Sequence, residues 1–146
     1  MITIKSPKTK EDFKAYYDLR YQVLRAPWGQ PKGTEKDDYE PVSEHYMAVD
    51  SETGEIVGVV KLFEKSSGVG QFSHMAVAKD KQRSGIGHIL INCVEEAAKK
   101  DGYKVLGCLS RLTCTDFFEK CGYQIVGLPA HYFGTIQVVW MEKKLA

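Results

Sequence analysis

The first residues alternate, Ile2 and Ile4 apolar against Thr3 and Lys5 polar, and Pro7 closes the run, which predicts a short amino-terminal strand. From Lys10 the period lengthens. Phe13, Tyr16, Tyr17, Val23 and Leu24 recur at helical spacing, predicting an amphipathic helix from residue 10 to about 25 that cannot continue comfortably through Pro27. Arg20 lies inside that apolar stripe, where its stem packs and its head pairs with an acidic residue. Residues 26–33 hold two prolines, two glycines and a tryptophan, the composition of a structured loop. The acidic run Glu35, Asp37, Asp38, Glu40 and Glu44 follows, partly on a short helix capped by Thr34 and read as a solvated face.

Three strand-like runs come next, over residues 45–50, 55–63 and 70–77, separated by turns at 51–54 and 66–68, and together they predict an antiparallel meander. Residues 85–101 then carry Ile86, Ile89, Leu90, Val94 and Ala97 on one stripe with Glu95, Glu96, Lys99 and Lys100 opposite, closed by Gly102. This is the strongest helix in the chain. A buried strand over 105–109, a short helix over 113–121 ended by Gly122, and two strands over 123–127 and 136–141 around a loop at 128–134 complete the order. The pattern β-α-α-β-β-β-α-β-α-β-β is α/β (α+β) in class, and the 146 residues fit one domain spanning 1–146.

Composition narrows the function. With 20 Lys and Arg against 19 Asp and Glu, the formal charge of +1 is too small for affinity resting on a phosphate backbone, so nucleic acid is not expected as a principal ligand. No segment has signal-peptide form or the roughly 18 apolar residues of a membrane span, so a cytoplasmic location without membrane attachment is expected. Cys93, Cys108, Cys114 and Cys121 show neither a C-x-x-C pair nor zinc spacing, the pattern of free thiols, and no metal is expected.

Chemistry concentrates in residues 75–87, where an apolar strand runs through a polar turn into the strongest helix. A helix start exposes unpaired N–H groups and the positive end of its dipole; Gly85 and Gly87 let an anion approach, and Lys79, Lys81 and Arg83 add charge. A P-loop fails for want of Gly-Lys-[Ser/Thr], and a dinucleotide fingerprint fails at Leu90. The spacing Gln82-x-x-Gly85-x-Gly87 instead resembles the coenzyme A pyrophosphate motif, Q/R-x-x-G-x-G/A, of the GNAT N-acetyltransferase superfamily. The Met75-Ala76-Val77 strand before it and Phe117-Phe118-Glu119-Lys120-Cys121-Gly122-Tyr123 after it resemble further superfamily segments in the right order. Residues 23–37 are similar to a V-L-R-x-P-W-x-Q-P-x-G-[ST]-E-x-D pattern of an uncharacterised bacterial branch.

The resemblance implies a mixed, mostly antiparallel seven-stranded sheet flanked by about four helices and splayed between strands four and five, with acetyl-coenzyme A (acetyl-CoA) as co-substrate in the splay. It implies acetyl transfer to an amine of a small molecule or protein; the alternative is a non-catalytic acyl-CoA-binding module. On this reading Met75, Ala76 and Val77 hold pantetheine and thioester, and Gln82, Arg83, Ser84, Gly85, Ile86 and Gly87 hold the pyrophosphate. Arg111 and Cys114 stand at the Asn and Ala of the superfamily's N-x-x-A-x-x-F-Y stretch. The tyrosine that acts there as general acid is Phe118 here, so the thiolate leaves unassisted, or Tyr132 or Cys114 donates, or no catalysis occurs. Candidate bases are His74, Glu44 and His45, each with the alternative of a packed or surface side chain. Arg25, Trp28 and Gln30 border the implied acceptor pocket, where Trp28 packs on the acceptor and Arg25 pairs with a carboxylate, or both simply pack the loop. The acidic run is a second place for a cationic amine, and His131, Tyr132 and Phe133 can close the pocket. A homodimer through the carboxy-terminal strands, with Val138, Val139, Trp140 and Met141 as apolar material, is one form the resemblance suggests.

Overall fold

The computed structural model describes residues 1–131 and 136–145. Its strands are β1 (Ile2–Lys5), β2 (Glu44–Asp50), β3 (Ile56–Ser66), β4 (Val69–Val77), β5 (Val105–Arg111), β6 (Gln124–Ile125), β7 (Ala130–His131) and β8 (Gln137–Lys144). They form one sheet in the order β1-β2-β3-β4-β5-β8-β6, with β7 also on β8. Three α-helices accompany it among the described residues: α1 (Lys10–Leu24), α2 (Ile86–Lys100) and α3 (Thr115–Lys120).

The eighth strand is the short Ala130–His131 pair, which lies in the expected 128–134 loop and borrows the edge of β8. The expected short helix after Thr34 does not form. Thr34 Oγ1 instead donates to Pro31 O, and the acidic segment turns once in a 3-10 helix at Glu40–Val42. The reason is that its acidic side chains are recruited by cations beneath α1, which holds the backbone in turns.

The sheet carries a core on each face. On one, α2 and α3 cover Val57, Val60, Leu62, Phe72 and Leu106; on the other, α1 covers Met47, Val49, Val59 and Ala76 with Tyr16. A strand buried on both faces reads as a near-continuous apolar run, which explains Ile56–Phe63. Lys61 interrupts that run and is fully buried. Thr9 starts α1 with a capping box, its Oγ1 accepting from Asp12 N at 3.0 Å while Asp12 Oδ2 accepts from Thr9 N at 3.3 Å.

Two features of the sheet create the site. The β4–β5 ladder is parallel and pairs only residues 69–71 with 105–107, after which the strands diverge. In addition, the β3–β4 register shifts so that residues 74 and 75 face the single Val60, a bulge with His74 at φ 53°. Left-handed backbone costs a non-glycine residue about 1 kcal/mol, so this bulge is held by its surroundings.

Candidate active site

The divergence of β4 and β5 opens a cleft of about 600 Å³. Ser73, His74 and Met75 line it from β4, and Leu109, Ser110 and Arg111 line it from β5. Phe117, Phe118 and Cys114 form one end, while Leu24, Arg25, Asp37, Tyr39 and Phe63 form the other. Beyond residue 71 the β4 edge facing β5 has no ladder partner among the described residues, so backbone amides border the cleft.

The turn after β4 leads to the helix start. Lys79–Lys81 form a 3-10 turn, Gln82 Nε2 donates to Val77 O at 3.2 Å, and Ser84 Oγ donates to Lys81 O. Gly85 caps α2 at φ 87°, a conformation that favours glycine, and the first helical bond runs from Ile89 N to Gly85 O at 3.2 Å. The N–H groups of Ile86, Gly87 and His88 precede that bond, and no acidic side chain occupies the first turn. Gly87 has a packing reason as well, because a Cβ there would meet Phe117 Cζ at 3.1 Å. Through Phe117 the helix start borders the cleft.

Beneath α1 lies a buried charge network that sequence reasoning read only at its first member. Arg20, fully buried, donates to Glu40 Oε2 at 2.9 Å, to Glu35 O at 3.0 Å and to Tyr16 OH at 2.9 Å. Lys61 donates to Glu40 Oε2 at 2.9 Å and to Asp37 Oδ1, and Tyr17 OH donates to Glu40 Oε1 at 3.0 Å. Burial alone would raise the Glu40 carboxyl; the Arg20 and Lys61 cations and the Asp37 N–H outweigh it and hold it at about 2. Glu40 is therefore the anion around which two buried cations are organised.

The three candidate bases separate in space. His74 is in the cleft, its Nδ1 3.0 Å from Ser73 Oγ and 4.0 Å from Asp37 Oδ2. Burial, then the nearby Arg20, Lys61 and Arg25 cations, push it down to about 3. It is neutral, and a weak proton acceptor. His45 belongs to the network: Nε2 donates to Glu40 O at 2.9 Å, because a carbonyl only accepts, which leaves Nδ1 to accept from Tyr16 OH at 2.8 Å. Burial lowers its pKa too, against the pull of Glu40. Glu44 lies elsewhere, accepting from Tyr46 OH at 2.8 Å beside Lys100 and Asp101 at the end of α2, and does not line the cleft. Tyr132 and Phe133 lie outside the described residues.

Of the other expected residues, Met75, Arg25, Arg111 and Cys114 line the cleft, whereas Ala76 and Val77 pack their side chains into the two cores. Arg25 is buried, donating to Thr34 O at 3.0 Å and Leu24 O at 2.9 Å. Trp28 lies with its ring 4.1 Å from the Arg111 guanidinium, and Gln30 O accepts from Tyr21 OH at 2.8 Å; neither Trp28 nor Gln30 lines the cleft. Phe118 packs among Phe72, Phe117 and Tyr123 and brings no hydroxyl. Tyr39 and Phe63 were missed, and Asp37 was named only as one member of the acidic run. The available signal was Lys61, a lone cation in a doubly buried strand, which requires carboxylates from elsewhere in the chain.

Residues 34–145 match the family model described as acetyltransferase (GNAT) domain. The chain belongs to the GNAT acetyltransferase family. It is similar to the uncharacterised N-acetyltransferase YjcF of Bacillus subtilis (strain 168), at 26% identity over 119 residues, 82% of this chain and 83% of that one. Its fold is similar to an acyl-CoA N-acyltransferase from Pseudomonas aeruginosa, with a TM-score of 0.84 and 18% identity over 98% of each chain. It is also similar to a GNAT family acetyltransferase from Elizabethkingia anophelis crystallised with acetyl-CoA bound, with a TM-score of 0.78 and 23% identity over 99% of this chain and 98% of that one.

Proposed function

We propose that the protein is an acetyl-CoA-dependent N-acetyltransferase that moves an acetyl group directly from the thioester to an amine. The observation that carries this is the early end of the β4–β5 ladder together with a helix start that has no side-chain cap. An extended chain of amides can add itself to the open β4 edge, and a pyrophosphate fits the N–H groups of α2 with Lys79, Lys81 and Arg83 nearby. The likeness of the fold to a GNAT family acetyltransferase with acetyl-CoA bound supports the same co-substrate.

Bound there, acetyl-CoA supplies an activated acyl group. The residues of this chain orient and stabilise. The β4 edge near Met75, beyond the end of its ladder with β5, is the source of backbone N–H donors for the developing oxyanion. The amine nitrogen forms the new C–N bond, the C–S bond breaks, and the amine proton passes to solvent while coenzyme A leaves as thiolate. With Phe118 unable to donate, departure rests on the intrinsic acidity of a thiol, about 8.5 in pKa. The reading is tested by calorimetric titration with coenzyme A, followed by incubation with acetyl-CoA and a panel of primary amines. The expected result is micromolar binding, and amine-dependent release of free thiol matched mole for mole by acetylated amine. Absence of coenzyme A binding would overturn the reading, and tight binding without transfer to any amine would favour a binding module.

A further inference from the structure

The segment between α1 and β2 is strapped to the protein by α1. Arg25 Nε holds Thr34 O at 3.0 Å, Arg20 holds Glu35 O at 3.0 Å, and Tyr21 OH holds Gln30 O at 2.8 Å. Glu35, itself buried, accepts from Gly33 N at 2.7 Å. The conformation delivers Asp37 to the wall of the cleft, where it is the one carboxylate among the described lining residues.

The two oxygens of Asp37 differ. Oδ1 is filled by Lys61 Nζ and by Tyr39 N at 2.9 Å. Oδ2 has no hydrogen-bond donor among the described residues, and its titratable neighbour is the neutral His74 ring at 4.0 Å. Its side chain is 36% exposed, and Asp37 lines the cleft. Beside it the Tyr39 ring stacks on Phe63, centroids 4.3 Å apart and planes 18° apart, forming an aromatic wall whose outer member is 46% exposed. A fixed anionic acceptor next to a flat apolar surface matches a cation carried on an apolar body.

Resting on the acetyltransferase reading, we propose that Asp37 is the docking point of the acceptor, which is a primary monoamine with an aromatic or alkyl body: its ammonium docks on Oδ2 with its body along Tyr39 and Phe63, then releases one proton to solvent and attacks the thioester as the neutral amine. Lys61 and Tyr39 N lock Oδ1 and so aim Oδ2. A second cationic centre on the acceptor finds no second carboxylate among the described lining residues, which disfavours polyamines.

The substitution Asp37→Asn separates charge from shape. Lys61 and Tyr39 N turn the amide oxygen toward themselves, so the amide NH2 faces the cleft where an acceptor is needed. Two acceptors of one shape serve as probes: 2-phenylethylamine, cationic near neutral pH, and O-benzylhydroxylamine, uncharged there. In D37N the KM for phenylethylamine is expected to rise about 20-fold, and that for O-benzylhydroxylamine less than about 3-fold, with coenzyme A affinity unchanged. In Tyr39→Ala, which removes an exposed ring, the preference for phenylethylamine over ethylamine is expected to fall about 10-fold. The variant also covers the case that D37N fails to fold. Equal KM rises for both probes, an unchanged preference in Y39A, or a wild type that turns over spermidine better than phenylethylamine would each overturn the proposal. A wild type that does not bind coenzyme A overturns the acetyltransferase reading, and this proposal with it; one that binds it and acetylates only other amines overturns this proposal alone.

Discussion

At the scale of single residues, the costly feature of this protein is Lys61. An ammonium in the middle of a doubly buried strand loses its hydration, and only the Glu40 and Asp37 carboxylates make that tolerable. Removing the cation leaves Glu40 with Arg20 as its one buried cation and Asp37 with only the Tyr39 N–H on its inner oxygen. Lys61→Ala is expected to lower unfolding free energy by about 3–5 kcal/mol in urea titrations, the range for breaking a buried pair. Lys14 also pairs with Asp18, at 3.1 Å, but both side chains are exposed, at 79% and 47%. Lys14→Ala is therefore expected to change stability by less than about 0.5 kcal/mol. Similar losses in the two variants would mean that the network is not structural.

At the scale of elements, the site is made by what two elements fail to do. The β4–β5 pair stops its ladder early, and α2 begins without a side-chain cap. Gly85 permits the second through its φ of 87°, with open space where a Cβ would stand. Gly85→Ala therefore strains the backbone by about 1 kcal/mol and blocks nothing. Gly85→Glu adds the same strain but sets a carboxylate at the N–H groups, where the helix dipole favours it and offsets part of the cost. The two variants are expected to melt within a few degrees of each other, while coenzyme A affinity, measured by calorimetry, falls at least about 100-fold only in the glutamate variant. Equal affinities would show that the helix start is not the anion site. Gly87 has a packing role of its own: its missing Cβ makes room for Phe117.

At the scale of the whole molecule, the network ties stability to pH. His74, pushed down to about 3, stays neutral while its unfolded counterpart takes up a proton, and burial lowers His45 in the same direction. The unfolded state binds more protons in that window, so stability falls as pH drops below about 6.5. Glu40, held at about 2 against an ordinary 4.5, extends the loss to lower pH. The urea midpoint is expected to fall between about pH 7 and 5, and His74→Asn to reduce that slope; an unchanged slope would place the proton uptake elsewhere. No helix of the described residues is long and apolar enough to cross a membrane.

Much of this was legible in the chain itself, because hydrophobic period and turn residues act locally. The alternation at Ile2–Lys5, the stripe of α1, the long helix after Gly85 and the order of strands needed no tertiary information. The motif from Gln82 to Gly87 marked the helix start, and Arg20 in an apolar stripe already demanded an acidic partner. What the tertiary structure decided is where the strands stop pairing, which carboxylate each buried cation takes, and which of His74, His45 and Glu44 faces the cleft. Those outcomes depend on residues distant in sequence, Lys61 with Asp37 and Glu40 across 24 and 21 positions, and no local period records them. Local propensity spells elements; the free energy of burying charge, which only the assembled fold can settle, chooses the partners and so shapes the cleft.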